Sequence, residues 1–159
     1  MTHTKQETVT LEGFHVCKHA VRFGAAITDL VTADMDSLEV FLDRYAPDIK
    51  AAIVNSVREI SAEDFAVYSN TASRTPLAGK AHIPDASKVD KQGLVVLLDN
   101  PRDLENIGAV VRLSAGMDVP IVMTTGDVDP WHKNCLRGSQ GLHYALSAVQ
   151  RVDTNDLGR

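Results

Sequence analysis

A short apolar run in the second half of the chain leads into a polar loop and then into a segment with helical periodicity. The run covers residues 94–98, the loop covers residues 99–103, and the apolar positions that follow are spaced as on one side of a helix: Leu104, Ile107, Val110 and Val111. This pattern predicts a buried strand, a loop and a helix in direct succession. In an open α/β sheet the loop after such a strand is where ligands bind.

Length and composition allow one ordinary domain or two small ones. The chain has 159 residues, of which 44% are hydrophobic and 23% charged, close to the values of soluble globular proteins. Residues 84–93 are rich in polar and turn-forming residues and form the best linker. We therefore expect two domains, residues 1–88 and residues 89–159.

Local patterns predict alternating helices and strands on both sides of this linker. Before it we expect a helix over residues 11–24 that ends at Gly24, a strand over 25–32, a helix capped by Asp36, a strand over 51–54, a short helix that begins at Ser61, and a strand over 78–83. After the first strand and helix of the second part we expect a strand over 119–124, a short helix over 131–137 and a strand over 144–149. This alternation predicts an α/β fold with a parallel sheet in the second part.

Charge and cysteine content limit the classes of function. The net charge is −5, and neither part is basic: residues 1–90 hold 9 basic and 13 acidic residues, and residues 91–159 hold 7 and 8. This balance argues against tight non-specific nucleic-acid binding but leaves room for a local RNA site. No apolar run is long enough for a membrane span or a signal peptide, so we expect a cytosolic protein without membrane contact. Cys17 and Cys135 have no nearby cysteine and are expected to be small buried fillers.

Two polar residues on the predicted helix need an explanation. Asn106 and Arg112 are six residues apart, which corresponds to about 600° of helical rotation, so they lie on different sides. Asn106 belongs to the first turn, where it could simply be the N-cap. Arg112 follows three apolar residues and requires an anionic partner. That partner could be Asp103 or Asp118, or a bound ligand.

Several residues of the second part together resemble the motifs of a known family. The residues that carry this resemblance are Asp99, Pro101, Asn106, Gly108-Ala109 and Arg112, followed by Asp129-Pro130 and by Arg137-Gly138-Ser139-Gln140-Gly141. They resemble the SpoU (TrmH-type) branch of the SPOUT RNA methyltransferases. The first part is similar to the small ribosomal-protein-like α/β substrate-binding domain of that family through Glu12-Gly13 and residues 71–76.

The resemblance implies a fold and an activity. It implies that the substrate-binding domain is followed by the N-terminal part of a parallel-sheet, knotted α/β methyltransferase domain. The implied reaction transfers a methyl group from S-adenosylmethionine to a ribose 2′-hydroxyl of RNA, in a homodimer. Arg112 would be the catalytic arginine, Asn106 its supporting residue, and Arg137 and Ser139 would contact RNA. By analogy with relatives that share this first domain, the RNA is expected to be ribosomal.

Two later motifs of the family are missing. The cofactor site and the knot are built from segments that would follow Arg159, so the cofactor-binding residues are unknown and we expect no S-adenosylmethionine binding by residues 1–159. A fragment of a longer enzyme or a degenerate protein would explain this. A parallel sheet of three strands would also leave an open apolar edge. Asp118 stands where the family usually has glycine.

Other functions remain open at the level of the sequence. The main alternative is an RNA-binding module with an inactive methyltransferase domain, in which residues 10–83 carry the RNA affinity; a generic α/β domain is a third possibility. Asp99 and Asp103 lack a third ligand nearby, so no metal site is expected. Trp131 could stack on a base, although we favour a role in anchoring its loop.

Overall fold

The computed structural model describes residues 6–69, 75–90 and 92–157. The chain divides into two compact units, Met1–Ile83 and Pro84–Arg159. The division falls at the start of the predicted linker, five residues before the expected boundary after residue 88. The two units are described separately.

The first unit has a four-stranded sheet with helices. Its elements are β1 (Thr8–Glu12), α1 (Phe14–Arg22), β2 (Ile27–Thr32), α2 (Met35–Tyr45), a 3₁₀ turn (Pro47–Ile49), α3 (Lys50–Val54), β3 (Arg58–Glu59), α4 (Ala62–Tyr68) and β4 (Ala78–His82). The strand order is β1-β4-β2-β3. Strand β4 is antiparallel to both β1 and β2, whereas β3 is parallel to β2. The buried side chains of this unit include Leu11, Leu30, Leu38, Leu42 and Ile53.

Three predictions for the first unit are wrong. The predicted helix over residues 11–24 begins only at Phe14, because Leu11 pairs with Gly79 in the sheet. The N-cap of α2 is Asp34 instead of Asp36; its carboxylate accepts a hydrogen bond from the backbone N–H of Ser37. Residues 51–54, predicted as a strand, lie in α3. A short apolar run is compatible with a buried strand or a buried helix, and periodicity cannot separate them.

Other local predictions for this unit are confirmed. Gly24 has a φ of +75°, and its N–H donates to the carbonyl of Val21, so it ends α1 as expected. The Ser61 side chain accepts a hydrogen bond from the N–H of Asp64 at the start of α4. Strands β2 and β4 lie within the predicted segments.

The second unit contains a three-stranded parallel sheet. Its elements are a 3₁₀ turn (Ala86–Lys88), β5 (Val95–Leu98), α5 (Leu104–Gly116), β6 (Ile121–Thr124), α6 (Lys133–Ser139), a 3₁₀ turn (Leu142–Ala145), β7 (Ala148–Arg151) and a 3₁₀ turn (Thr154–Asp156). The strand order is β5-β6-β7, and both pairs are parallel. The predicted α/β class and parallel sheet are confirmed, whereas the ribosomal-protein-like character of the first unit stays a prediction.

Several boundaries in the second unit differ from the prediction, and local contacts explain two of them. Helix α6 begins at Lys133, because His132 is its N-cap and accepts a hydrogen bond from the N–H of Asn134. The last strand begins at Ala148, because residues 142–145 form a 3₁₀ turn. The preceding segment is therefore a connection and not the start of the strand.

One face of this sheet is only partly covered. Ile121, Met123 and Ala148 are buried under Ala86, Val89 and Val152. On the edge strand β5, by contrast, Val95 is 39% exposed and Leu97 is 45% exposed. Strand β5 is therefore partly exposed, and the prediction of a buried strand at residues 94–98 is wrong.

Both cysteines and the single tryptophan are buried. Cys17 and Cys135 carry free thiols, and burial raises the pKa of the Cys135 thiol to about 12. The indole N–H of Trp131 donates to the carbonyl of Val149 at 2.8 Å. These observations fit the predicted roles as apolar fillers and as a loop anchor. Among the described residues, no helix has the length and apolar character needed to cross a membrane.

Candidate active site

The loop from β5 to α5 is fixed to the end of β6. The hydroxyl of Thr125 donates to the carboxylate of Asp99 at 2.7 Å and accepts from the N–H of Asn100 at 2.8 Å. The N–H of Thr125 donates to the carbonyl of Leu98. Asn100 has a φ of +47°, which bends the chain out of the strand. Thr125 thus holds the loop in place, a role that the sequence did not reveal.

Helix α5 begins at a side-chain cap that differs from the one considered in the sequence. The carboxylate of Asp103 accepts a hydrogen bond from the N–H of Asn106 at 2.9 Å. Asp103 is therefore the N-cap, and Asn106 is the third residue of the helix. The side chain of Asn106 is exposed in the first turn, as expected.

Arg112 lies in the middle of α5 with an exposed side chain. It follows Val111, which is buried against the rest of the unit. Neither of the salt bridges considered from the sequence, to Asp103 or to Asp118, is among those observed; within the described residues Arg112 makes no hydrogen bond or ion pair. The guanidinium group is therefore available to an anion from outside the unit. It is separated from Asn106 by about 9 Å along the helix axis.

Two glycines let α5 and α6 cross at backbone contact. A Cβ atom added to Gly108 would overlap the carbonyl of Cys135 and lie 2.8 Å from the Cα of Gly138. A Cβ atom added to Gly138 would lie 2.8 Å from the carbonyl oxygen of Glu105. The two segments that carry the family pattern are thus held together by a helix crossing that excludes side chains.

This crossing places Arg137 beside the first turn of α5. Its guanidinium donates to the carboxylate of Glu105 at 2.9 Å, and both side chains are largely exposed. The predicted contact between Arg137 and RNA stays a prediction. A phosphate that approached Arg137 would have to compete with Glu105.

Ser139 has a different position from the one expected. Its side chain is completely buried, and its hydroxyl lies 2.7 Å from Nδ1 of His143. Nε2 of His143 lies 2.7 Å from the carbonyl oxygen of Pro130. Because a carbonyl only accepts, Nε2 carries the proton and Nδ1 accepts from Ser139. The predicted RNA contact is corrected to a structural role, since Ser139 presents no accessible atom.

Burial determines the protonation of His143. Desolvation lowers the pKa of this imidazole to about 4, although the Pro130 carbonyl and Asp129 act in the opposite direction. His143 is therefore neutral at neutral pH and joins the loop after β6 to α6. Neither Ser139 nor His143 has the access to solvent that a nucleophile and a base would need.

The cleft at the carboxyl ends of β6 and β7 is not a fitted site for S-adenosylmethionine. An open cleft of about 540 Å³ lies at the carboxyl ends of β6 and β7, lined by Gly126, Asp127, Arg151, Val152, Asp153 and Thr154. An adenine ring needs apolar walls on both faces, but Val152 is the only large apolar side chain in this lining. No group of three or more metal-ligating side chains is found within the described ranges.

Comparisons with known proteins agree with this description. Residues 93–157 match the model of the SpoU rRNA Methylase family. The chain is 27% identical over 154 residues to rRNA methyltransferase 3, mitochondrial, of Xenopus tropicalis, covering 91% of the chain and 36% of that protein. It is 28% identical over 162 residues to rRNA methyltransferase 3B, mitochondrial, of Danio rerio, covering 96% and 35%. The chain thus spans about a third of the length of these relatives.

Two solved structures share the fold. One is an AdoMet-bound rRNA methyltransferase from Sinorhizobium meliloti, with a TM-score of 0.67, 18% identity, and coverage of 94% of this chain and 56% of the other. The second is the SpoU methyltransferase AviRb from Streptomyces viridochromogenes in complex with AdoMet, with a TM-score of 0.69, 18% identity, and coverage of 92% and 56%. Residues 71–76 are the segment of the first unit that resembles the substrate-binding domain of the family, and residues 71–74 of it lie outside the described residues. Residues 93–157, which include the helix that carries Asn106 and Arg112, thus match the SpoU rRNA Methylase family and share the fold of these methyltransferases.

Proposed function

We propose that this chain functions in the S-adenosylmethionine-dependent methylation of RNA and supplies the RNA-facing part of the active site. The proposed substrate is ribosomal RNA, and the proposed methyl acceptor is a ribose 2′-hydroxyl. The observation that carries the proposal is the exposed guanidinium of Arg112 on α5, which has no partner in the part of the chain that the structure describes and lies inside the segment that matches the SpoU family. The names of the relatives support a ribosomal substrate. A structural neighbour described as an RNA 2′-O ribose methyltransferase supports the acceptor.

Arg112 acts on RNA through charge. A guanidinium group has a pKa above about 12, so it is a poor base in its ordinary state. Its five donors suit a phosphate of the RNA backbone and the negative charge that develops on the ribose oxygen as its proton leaves. In this proposal Arg112 binds and orients the RNA, and Asn106 supports the loop from the first turn of α5. Arg137 contributes a second phosphate contact, for which its guanidinium gives up the ion pair with Glu105.

A chimera tests this role with a complete cofactor site. Residues 1–159 replace the matching segment of the Xenopus tropicalis relative, and the chimera is incubated with ribosomal RNA and labelled S-adenosylmethionine. We expect label in nucleotides that resist alkaline hydrolysis, because cleavage of the RNA chain requires a free 2′-hydroxyl. The Arg112→Ala chimera should lose at least about a hundredfold in rate, while Val67→Ala, at an exposed position of α4, should not change it. A full rate with Arg112→Ala would refute the role of Arg112, and label in a base would refute the ribose acceptor.

The alternative is an RNA-binding module without methyltransferase activity. The polar lining of the cleft at the ends of β6 and β7 favours it, because that lining does not suit an adenine ring. In this case the full chain binds RNA with an affinity that falls as salt rises, yet the folded chimera transfers no methyl group. Filter binding of the same RNA over a range of salt concentrations, next to the chimera assay, separates the two candidates.

Oligomeric state and location are further proposals. By resemblance to the family we propose a homodimer, which sedimentation equilibrium of the full chain would test. The cytosolic location stays a prediction from the sequence, and the names of the relatives include the word mitochondrial.

A further inference from the structure

A cluster of four rings lies where the start of α1 meets the end of α2. We call it the aromatic cluster; its members are Phe14, His15, Phe41 and Tyr45. The ring centroids of Phe14 and Phe41 are 5.3 Å apart, and those of His15 and Tyr45 are 5.6 Å apart. Tyr45 also lies 5.7 Å from Phe41. These distances and the tilted or edge-on angles are those of favourable aromatic pairs.

The cluster is anchored at one end and open at the other. Phe14 is only 3% exposed, whereas Tyr45 is 42% exposed. His15 and Phe41 have intermediate exposure. Packing against three neighbouring rings therefore holds Tyr45 in place while a large part of its surface meets solvent. A rigid exposed ring loses little conformational entropy when another flat group stacks on it.

A cation accompanies this exposed ring. The guanidinium carbon of Arg44 lies 5.2 Å from the centroid of the Tyr45 ring, within the range of a cation–π contact. The side chain of Arg44 is exposed, and no ion pair of Arg44 is observed within the described residues. It can therefore turn to an external anion.

Three carboxylates of α2 and of the 3₁₀ turn that follows it are paired with basic side chains. Lys50 contacts Asp43 at 2.8 Å and Glu39 at 3.4 Å. Arg22 forms two hydrogen bonds with Asp48, at 2.9 and 2.7 Å. These pairs reduce the repulsion that an acidic unit would otherwise exert on a phosphate near Arg44.

The second ring at the open end is uncharged at neutral pH. Burial, and then the charge of Lys18, lower the pKa of His15. A neutral imidazole next to Tyr45 extends the flat, weakly polar surface. The lowered pKa of His15 agrees with a role in stacking. The ring positions support that role independently of the pKa.

We propose that the aromatic cluster binds single-stranded RNA, with an unpaired base stacked on Tyr45 and a backbone phosphate held by Arg44. This rests on the proposed function, because it assigns part of the RNA binding to the first unit. Stacking of bases on aromatic side chains together with an arginine is the usual mode of single-strand recognition. A base inside a duplex has both faces covered by its neighbours and cannot stack on Tyr45. The occupant is therefore an unpaired segment of the RNA.

The test uses the full chain and two RNA probes. One is a short single-stranded oligonucleotide with a central 2-aminopurine, whose fluorescence is quenched when the base stacks; the other is a duplex of the same length. Tyr45→Leu removes the ring and keeps much of the volume, and Tyr45→Phe keeps the ring. Val40→Ala, at a position of α2 that is 65% exposed, is the matched control. Circular dichroism of each variant verifies folding.

We expect the single strand to bind more tightly than the duplex and its fluorescence to be quenched. Tyr45→Leu should weaken binding about tenfold and abolish the quenching, whereas Tyr45→Phe and Val40→Ala should change affinity less than about twofold. Arg44→Lys should keep the salt dependence but weaken binding, because lysine lacks the planar fork.

Several results would overturn the proposal. Equal affinity of wild type and Tyr45→Leu, preference for the duplex, or absence of binding at low salt would each do so. Binding without quenching would show that RNA contacts another surface. Failure of the proposed function has a different signature. A chimera that binds the single strand and quenches its 2-aminopurine fluorescence but transfers no methyl group would refute the reaction. It would leave the proposed stacking on Tyr45 intact.

Discussion

The crossing of α5 and α6 gives the sharpest prediction about stability. Gly108→Ala adds a single methyl group at the point where the two helix backbones touch. The new Cβ would overlap the carbonyl of Cys135 and lie 2.8 Å from both the Cα of Gly138 and the N of Ser139. All three neighbours are backbone atoms, which cannot rotate away as a side chain would. The helices must therefore separate.

The magnitude follows from the required displacement. Ordinary contact begins at 3.4 Å, so the atoms at 2.8 Å must move by about 0.6 Å and the Cys135 carbonyl by more. A gap of 0.5 to 1 Å removes about a quarter to a half of each van der Waals attraction along the interface. Overpacking of this kind costs about 1–3 kcal/mol, and we expect the upper end. The helical preference of alanine over glycine offsets about 0.5–1 kcal/mol, which leaves about 2 kcal/mol of destabilisation.

Urea denaturation followed by tryptophan fluorescence measures this effect. Trp131 is the only tryptophan and is buried in the second unit, so its emission reports the unfolding of the unit that contains the crossing. Gly116→Ala is the matched control. It lies in the same helix with no atom within 4 Å of an added Cβ, and it should raise stability by up to about 1 kcal/mol.

The two variants should thus move in opposite directions. If Gly108→Ala had the urea midpoint of the wild type, or gained stability as Gly116→Ala does, the helices would not be in backbone contact. The crossing would then not join the two segments that carry the family pattern.

Three further predictions concern the backbone, a buried histidine and a helix cap. Asp118 has a φ of +55°, so Asp118→Gly should stabilise the second unit by about 0.5–1 kcal/mol in urea unfolding monitored at Trp131. Because burial lowers the pKa of His143 from 6.5 to about 4, the unfolded state takes up a proton first as the pH falls. Stability should drop by about 3 kcal/mol between pH 6.5 and 4 and not change further through this group; His143→Gln should lack this component, and an unchanged pH profile in that variant would contradict the assignment. Asp34→Ala should lower the thermal midpoint measured by circular dichroism, whereas Asp36→Ala should not; equal effects would contradict the observed cap.

The parts of the fold that depend on residues close together along the chain were predictable. The strand, loop and helix over residues 94–116 appear as β5, the fixed loop and α5. The stop at Gly24 and the cap at Ser61 follow from backbone freedom and from side-chain hydrogen bonds over three residues. Asp34 and Asp36 are both plausible N-caps of α2, and only the observed hydrogen bond shows which of them caps the helix. The strand predicted at residues 51–54 failed because its apolar run is too short to show a period.

The contacts within the candidate site were not predictable from the sequence, and the roles of its residues stay predictions. The family pattern identified Asn106, Arg112 and Arg137 as a group, and α5 and α6 bring their segments together. Nothing in the sequence indicated that Glu105 would pair with Arg137 or that Ser139 would be buried against His143.

The sequence by itself determined the α/β class, the parallel second unit, the resemblance of residues 93–157 to the SpoU family and the helix that carries Arg112. Each of these depends on spacing along a single segment or on residue types at fixed intervals. Only the tertiary structure decided which charges are free, which hydroxyls are buried and which rings are exposed. Those properties depend on which segments pack together, and hydrophobic burial and helix crossing set that packing between residues far apart in the chain. Among the described residues the guanidinium of Arg112 has no partner and that of Arg137 is paired with Glu105 for this reason, although both belong to the same pattern.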